Sequence, residues 1–281
     1  MLGSAMPLNP TRALRVGVCA SMLAPATDPC GIESVEAAAA LGFDYIELSL
    51  AHLAALERSR FDELVARVAG SGLGCEACNN FFPPAVRLTG PAADPALALE
   101  YAAAALERAA RVGVEIVVLG SSGAKNVPDG FSLAEARRQL LALLAELGPI
   151  AQRHAITIAL EPISRPEANF IILAAEALEL VRELDHPSIQ LLVDYYHLAT
   201  EREDPDVIRS AGPALRHLHF ARAADRGFPT VWEDGFAGFF RAVAAAGYNG
   251  RLSIEAFTGD FGQDARAALR LVRAGAAEVM A

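Results

Sequence analysis

The sequence predicts an α/β protein whose single domain is a (β/α)8 TIM barrel. Apolar, strand-like runs alternate eight times with amphipathic, helix-like segments along the 281 residues, and such alternation is typical of a closed parallel barrel. No Pro-, Gly- or Ser-rich linker divides the chain, so one domain of this length is expected. An open doubly wound sheet is the alternative, but no G-x-G-x-x-G motif follows an early strand.

The predicted elements follow one another in regular order. The strand candidates are residues 15–21, 44–50, 74–80, 114–122, 157–163, 189–197, 215–221 and 251–257. The helix candidates are residues 32–41, 58–71, 94–112, 132–154, 171–185, 205–211, 236–246 and 261–279. Capping residues mark helix starts at Asp94-Pro95 and Ser132, and glycines mark helix ends at positions 42, 72, 113 and 247. Residues 1–13 are predicted to be a disordered leader, which leaves residues 14–281 for the barrel.

Four strand-like segments in the second half of the chain each carry one metal-ligand side chain at or near the strand end. These residues are Glu161, Asp194, His219 and Glu255, separated by 33, 25 and 36 positions. Each gap is close to one strand–helix unit, so the four side chains are expected to meet at the carboxyl end of one barrel. Buried carboxylates are costly unless they are paired or bound to metal. The pattern therefore predicts a divalent-cation site.

The predicted donor set of three carboxylates and one imidazole limits the choice of metal. Oxygen-rich sites of this kind bind Mn²⁺, Mg²⁺, Co²⁺ or Fe²⁺ more readily than they bind structural zinc. Mn²⁺ is the first expectation, and catalytic Zn²⁺ is kept as an alternative.

Five more polar residues are candidate substrate contacts at the same end of the barrel: Glu47, Asn79, Glu167, His197 and Arg226. Alternatively, His197 supports a metal ligand, Arg226 forms a surface ion pair, and Glu167 is a solvated charge. Glu47 and Asn79 end the second and third strands, and the other three follow later strands. Strand-end loops carry specificity in barrels of this type. Arg226 has the fork geometry that binds two oxygens at once.

Two further features have plainer interpretations. Lys125 is the only lysine in the chain, and its Gly-rich loop suggests a solvated side chain rather than a Schiff-base amine. Cys75 and Cys78 form a C-x-x-C, but the segment reads as a strand. Residues three apart in a strand face opposite sides, so buried apolar packing is expected.

Composition excludes several classes of function. The net charge is −10, with 24 basic and 34 acidic residues, and no basic stripe for nucleic-acid phosphates is visible. Arg or Glu interrupts every apolar stretch, so no membrane span is expected. The first residues lack the pattern of a secretory signal, and the four cysteines do not resemble a disulfide framework. A cytoplasmic location is therefore expected.

Four motifs together give the chain a family resemblance. It resembles the sugar phosphate isomerase/epimerase superfamily, the xylose isomerase-like barrels, which include D-tagatose 3-epimerase, D-psicose 3-epimerase and hydroxypyruvate isomerase. The motifs are "LEPISRPEANF" from Leu160, "VDYYH" from Val193, "HLHF" from His217 and "IEAF" from Ile254. The resemblance spans residues 14–280. Arg226 stands seven residues beyond His219, whereas the family often places its arginine six residues on.

The resemblance implies which residues bind and react. Glu161, Asp194, His219 and Glu255 would bind the metal, and Glu161 and Glu255 would also be catalytic. Glu167 and His197 would contact a carbohydrate.

The implied activity is a metal-dependent sugar or sugar phosphate isomerase or epimerase that transfers a proton through a cis-enediolate. A dehydratase or lyase acting on a keto-sugar or keto-cyclitol is the main alternative. An endonuclease IV-like nuclease is a further one. A homodimer or homotetramer is expected from apolar loop residues such as Phe81, Phe82 and Phe228.

Overall fold

The computed structural model describes residues 14–23, 25 and 27–280. The predicted leader, residues 1–13, lies outside the described residues. Eight parallel strands pair in sequence order and close into a barrel, which confirms the predicted fold class. The strands are β1 (Arg15–Cys19), β2 (Tyr45–Ser49), β3 (Gly74–Asn79), β4 (Ile116–Leu119), β5 (Thr157–Leu160), β6 (Ile189–Asp194), β7 (Leu215–Phe220) and β8 (Arg251–Ile254).

Eleven α-helices surround the barrel in the described part of the chain. They are α1 (Val35–Leu41), α2 (Leu50–Ala55), α3 (Arg58–Ser71), α4 (Pro95–Val112), α5 (Ser122–Lys125), α6 (Leu133–Arg153), α7 (Ala174–Leu184), α8 (Tyr195–Thr200), α9 (Asp206–Ala211), α10 (Asp234–Ala245) and α11 (Phe261–Met280). Among the described helices, none is long and apolar enough to cross a membrane.

The predicted capping residues explain where long helices begin and end. Asp94 accepts a hydrogen bond from the Leu97 N–H at 3.1 Å, and Pro95 opens α4. Gly113 ends α4 with a φ of 98°, a left-handed conformation that favours glycine. These ends fix how each helix returns the chain to the next strand.

Every strand ends one to three residues before its predicted end, and short helices follow closely after β4 and β6. β6 stops at Asp194, whose carboxylate accepts the Tyr196 N–H at 2.9 Å and starts α8. His197 therefore lies on a helix rather than at a strand end. β4 stops at Leu119, and α5 follows within the segment predicted as strand and loop. A single helical turn is too short to leave a periodic pattern in the sequence.

The core has two layers. Apolar side chains that face outward from the strands, including Ile158 and Leu160, pack against the helices. A separate cluster fills the barrel interior and consists of Tyr45, Ala77, Ile116, Val118, Ala159 and Leu192. The interior is thus plugged by side chains below the site, as expected for a barrel of eight strands.

The expectation for the two C-x-x-C cysteines is partly wrong. Cys75 and Cys78 are buried free thiols, as expected, but both belong to the outer layer rather than to opposite faces. The β2–β3 pairing shifts by one residue after Ile46, and this bulge at Glu76 changes the side-chain alternation.

Phe81, Phe82 and Phe228 do not form an exposed surface. All three are buried within the chain, and Phe81 and Phe82 pack against each other and against Tyr101. They therefore give no support to the predicted dimer or tetramer.

Candidate metal centre

The four predicted ligands lie together at the carboxyl end of the barrel. Asp194 and His219 belong to β6 and β7, while Glu161 and Glu255 come directly after β5 and β8. One oxygen or nitrogen from each residue lies within 4.8 Å of those of the other three, and all four residues are buried. His219 Nδ1 is 3.2 Å from Glu161 Oε1 and 3.5 Å from Glu255 Oε2.

The electrostatics of this cluster fit a cation. Asp194 Oδ2 is buried and has no hydrogen-bond partner among the described residues. Burial raises the pKa of Asp194 to about 7, and the carboxylates of Glu255 and Glu161 add to this rise, although Arg226 opposes it. Burial also raises the pKa of Glu161. A divalent ion would compensate the negative charges of these carboxylates. The carboxylate oxygens and the imidazole nitrogen are donors of the kind that such an ion prefers.

Glu47 fixes the orientation of His219 from below. Its Oε1 accepts a hydrogen bond from His219 Nε2–H at 3.0 Å, and its Oε2 accepts from His217 Nε2–H at 2.8 Å and Ser253 Oγ–H at 2.5 Å. Burial alone would raise the pKa of Glu47, but His219 and His217 hold it well below its usual range. With the proton on Nε2, His219 presents Nδ1 to the three carboxylates, as required of a metal ligand.

The placement of Glu47 differs from the predicted substrate contact. The side chain is fully buried, and both carboxylate oxygens already accept hydrogen bonds from protein groups. Cys19 Sγ lies 3.9 Å from His219 Nε2, so Cys19, Glu47 and His219 form a second buried group with metal-binding atoms. Because Glu47 is occupied by hydrogen bonds, we interpret this second group as support for His219.

Glu255 is held by an amide and a guanidinium. Asn79 Nδ2 donates to Glu255 Oε1 at 2.8 Å, and Arg226 Nη2 donates to Glu255 Oε2 at 2.5 Å. Burial would raise the pKa of Glu255, but His219 and Arg226 hold it well below the usual value. Asn79 is buried, so its observed contact is with a ligand residue rather than with open space at the mouth.

Arg226 links the cluster to the rim. Its Nη1 donates to Glu167 Oε2 at 2.9 Å, and its guanidinium lies 4.9 Å from the centre of the Tyr196 ring. The Glu167 side chain is 37% exposed, so the pair reaches from the buried ligands to solvent. Both predicted substrate contacts therefore stand beside the metal cluster.

His197 also faces the cluster. Its Nδ1 accepts hydrogen bonds from Ser164 Oγ–H at 2.9 Å and Ser164 N–H at 3.3 Å, which leaves the proton on Nε2. That nitrogen lies 3.7 Å from Asp194 Oδ2. Burial and then Arg226 lower the pKa of His197 to about 3, so the ring is neutral and can donate one hydrogen bond toward the site.

Two residues beside Glu161 were not predicted to belong to the site. Lys125 is fully buried rather than solvated, and its Nζ donates to the backbone carbonyl of Glu161 at 3.0 Å. Gly120 lies so close to Glu161 that a Cβ there would overlap Oε2. The only sequence signal for Lys125 was that it is the single lysine of the chain. Gly120 gave no sequence signal, because a glycine at a strand end has many possible roles.

The fold and the ligand cluster define a (β/α)8 barrel with a candidate divalent-metal centre at its carboxyl end. The profile of the family described as "Xylose isomerase-like TIM barrel" matches residues 35–275. The chain belongs to this family, which confirms the predicted resemblance.

Two of the proteins that this chain resembles in sequence carry epimerase names. Ketose 3-epimerase of Arthrobacter globiformis is 30% identical over 118 residues, which cover 41% of this chain and 40% of that protein. D-psicose 3-epimerase of Ruminiclostridium cellulolyticum is 24% identical over 231 residues, covering 79% of this chain and 77% of that protein. The alignment thus spans about two fifths of the first relative and most of the second.

A solved structure extends the likeness in fold to nearly the whole chain. The apo form of 3-keto-D-glucoside 4-epimerase from E. coli superposes with a TM-score of 0.79 at 22% identity, covering 93% of this chain and 99% of that one. At this identity the likeness shows the shared fold.

Proposed function

We propose that the protein is a divalent-metal-dependent epimerase that acts on a ketose at the carbon beside its carbonyl group. The observation that carries this proposal is the convergence of Glu161, Asp194, His219 and Glu255 within 4.8 Å of one another. The 3-epimerase names of two relatives support the substrate class, since carbon 3 of a 2-ketose is the neighbour of its carbonyl.

The four converging residues would hold the metal ion. When bound, a divalent cation would polarise the substrate's carbonyl and adjacent hydroxyl and so acidify the C–H bond between them. We propose Mn²⁺ as the bound ion because the donors are mainly carboxylate oxygens. Mg²⁺, Co²⁺, Fe²⁺ and Zn²⁺ are the alternatives.

Glu161 and Glu255 are the proposed proton-transfer groups. They approach His219 Nδ1 from β5 and β8, so a sugar bound over the cluster would lie between two carboxyl groups. One carboxylate removes the proton to give a cis-enediolate, and the other returns a proton to the opposite face, which inverts that carbon. Burial raises the pKa of Glu161, whereas the pKa of Glu255 is held low against its burial by His219 and Arg226.

Glu167, His197 and Arg226 are the proposed substrate contacts. Glu167 reaches solvent beside the ligands, Arg226 offers a planar fork of donors, and His197 presents one N–H. These groups match the hydroxyl and carbonyl oxygens of a sugar.

Deuterium wash-in at carbon 3 of a ketose tests the reaction. The protein is loaded with Mn²⁺ in D₂O, and the parent is compared with Glu161→Gln and Glu255→Gln. We expect both variants to lose exchange by about 100-fold or more, as for removal of a general acid or base. Glu146→Gln, at an exposed position of α6, is the matched control and should exchange like the parent. Parent-like exchange in both active-site variants would refute the assignment.

Product analysis separates the epimerase from the dehydratase alternative. An enediolate with a leaving group on the next carbon would eliminate it and produce a conjugated product that absorbs ultraviolet light. The epimeric ketose without such a product would support the proposal. The nuclease alternative is disfavoured by the net charge of −10.

A further inference from the structure

The single lysine of the chain is buried against the backbone of a metal-ligand residue. Lys125 ends α5, and its Nζ donates to the Glu161 carbonyl at 3.0 Å. A buried ammonium group is costly unless it is hydrogen-bonded. The side chain is fully buried and directed at the peptide carbonyl, so it is not available to a sugar as an amine.

The same loop holds a second point on the segment that follows β5. Asn169 Oδ1 accepts the Val127 N–H at 2.9 Å, and Asn169 Nδ2 donates to the Val127 carbonyl at 2.8 Å. Asn126 Oδ1 accepts the Asn169 N–H at 3.1 Å. Residues 125–127, named the clamp from here on, thus hold the 161–169 segment at both ends, with Glu167 near the second end.

The clamp is itself anchored from the other side. Thr89 Oγ1 donates to the Lys125 carbonyl at 2.9 Å and to the Asn126 carbonyl at 3.1 Å. Just before the clamp, Ser121 Oγ accepts the Phe82 N–H at 3.0 Å. Both Thr89 and Ser121 are buried. The β3–α4 loop therefore holds the clamp in place, and the clamp in turn holds the Glu161 backbone.

We propose that Lys125 is a positioning residue whose ammonium group fixes the Glu161 backbone, so that the Glu161 carboxylate stands where metal binding and proton transfer require it. This inference rests on the proposed function. It adds the residue that positions Glu161, one of the two proposed proton-transfer groups. Misplacement by about 1 Å can slow catalysis about 100-fold, so one hydrogen bond at this point has a measurable effect.

Lys125→Met distinguishes positioning from simple charge. Methionine has a similar length and removes the ammonium group. Loss of a cation near the site would by itself tighten binding of another cation, whereas loss of positioning weakens it. We expect the Mn²⁺ Kd, measured by calorimetry without sugar, to rise about tenfold, the size typical when a group supporting a metal ligand is removed. With a ketose, kcat should fall about tenfold or more while KM changes less than about threefold.

Two comparison variants complete the experiment. Asn169→Ala loosens the end of the segment near Glu167, and it should raise KM more than it lowers kcat. Lys125→Arg restores a buried donor and should recover Mn²⁺ affinity toward the parent value. A parent-like or tighter Mn²⁺ Kd in Lys125→Met, with folding confirmed by circular dichroism, would overturn the inference. If the parent shows no carbon-bound exchange, the proposed function fails, but the Mn²⁺ Kd still decides the role of Lys125.

Discussion

Replacing Glu47 by Gln is expected to weaken Mn²⁺ binding although Glu47 is not a metal ligand. The carboxylate accepts N–H groups from His219 and His217 on its two oxygens. A carboxamide has one oxygen and one NH₂ group, so in either orientation one histidine N–H meets a donor. If that histidine is His219, its proton moves to Nδ1, the nitrogen that the metal needs.

The hydrogen-bond geometry sets the magnitude. A hydrogen bond to a charged group contributes about 1.5–3 kcal/mol, and about 1.4 kcal/mol corresponds to a tenfold change in an equilibrium constant. Losing the bond from His219 to Glu47 should therefore raise the Mn²⁺ Kd about tenfold to a hundredfold. Titration calorimetry on chelator-treated protein measures this value directly.

A matched control removes a neighbouring bond. Ser253→Ala deletes a donor to Glu47 Oε2 and leaves the bond between Glu47 and His219 intact, so its Mn²⁺ Kd should stay within about threefold of the parent. A folded Glu47→Gln protein with the parent Kd would show that the carboxylate does not set the state of His219.

Three other perturbations give separate outcomes. Gly120→Ala should abolish Mn²⁺ binding, because the added Cβ would overlap Glu161 Oε2. The control is Gly70→Ala in α3, whose Cβ meets no atom within 4 Å and which should bind Mn²⁺ like the parent. Calorimetry measures the Mn²⁺ Kd of both variants. Arg226→Lys should raise KM for the ketose about tenfold or more, since an ammonium group cannot replace the guanidinium fork, and steady-state kinetics with the Mn²⁺-loaded protein measures it. Mn²⁺ should raise Tm more at pH 7.5 than at pH 5.5. Burial raises the pKa of Asp194 to about 7, above an unfolded value of about 4. The contribution of Asp194 to the stability of the metal-free protein therefore falls as pH rises between those values, and below pH 7 protons compete with the metal. An equal shift in Tm at both pH values would contradict this account.

The ligand cluster could be predicted because its residues follow the period of the fold. Each ligand comes at the end of a strand, and parallel strands of one barrel end on one face, so Glu161 and Glu255 could be placed together across 94 residues of sequence. The helices α2, α5 and α8 could not be predicted in the same way. Each has six residues or fewer and begins inside a segment predicted as a strand, so it is stabilised by tertiary contacts rather than by its own periodicity.

Contacts between distant loops were equally invisible in the sequence. Lys125 looked like a solvated residue because its neighbours are small and polar, and only the closed barrel shows that the Glu161 carbonyl lies within its reach. Glu47 looked like a mouth residue because it lies near the end of a strand, but β2 places it one level below the ligands, against two histidines. Depth inside a barrel depends on strand stagger, which a single sequence does not reveal.

All four candidate ligands come from consecutive strands, β5 to β8, and this has a consequence for redesign of the protein. The first half of the barrel supplies residues that hold the ligands by hydrogen bonds, such as Glu47 on β2 and Asn79 on β3. Its loops also lie at the carboxyl end of the barrel. Exchanging surface portions of the β1–β3 loops should therefore alter which sugars fit without removing a single ligand. Changes to the loops after β5 to β8 alter sugar fit and reactivity together, so a library aimed at new substrates is best confined to the β1–β3 loops, leaving out Phe82 and Thr89 next to the clamp.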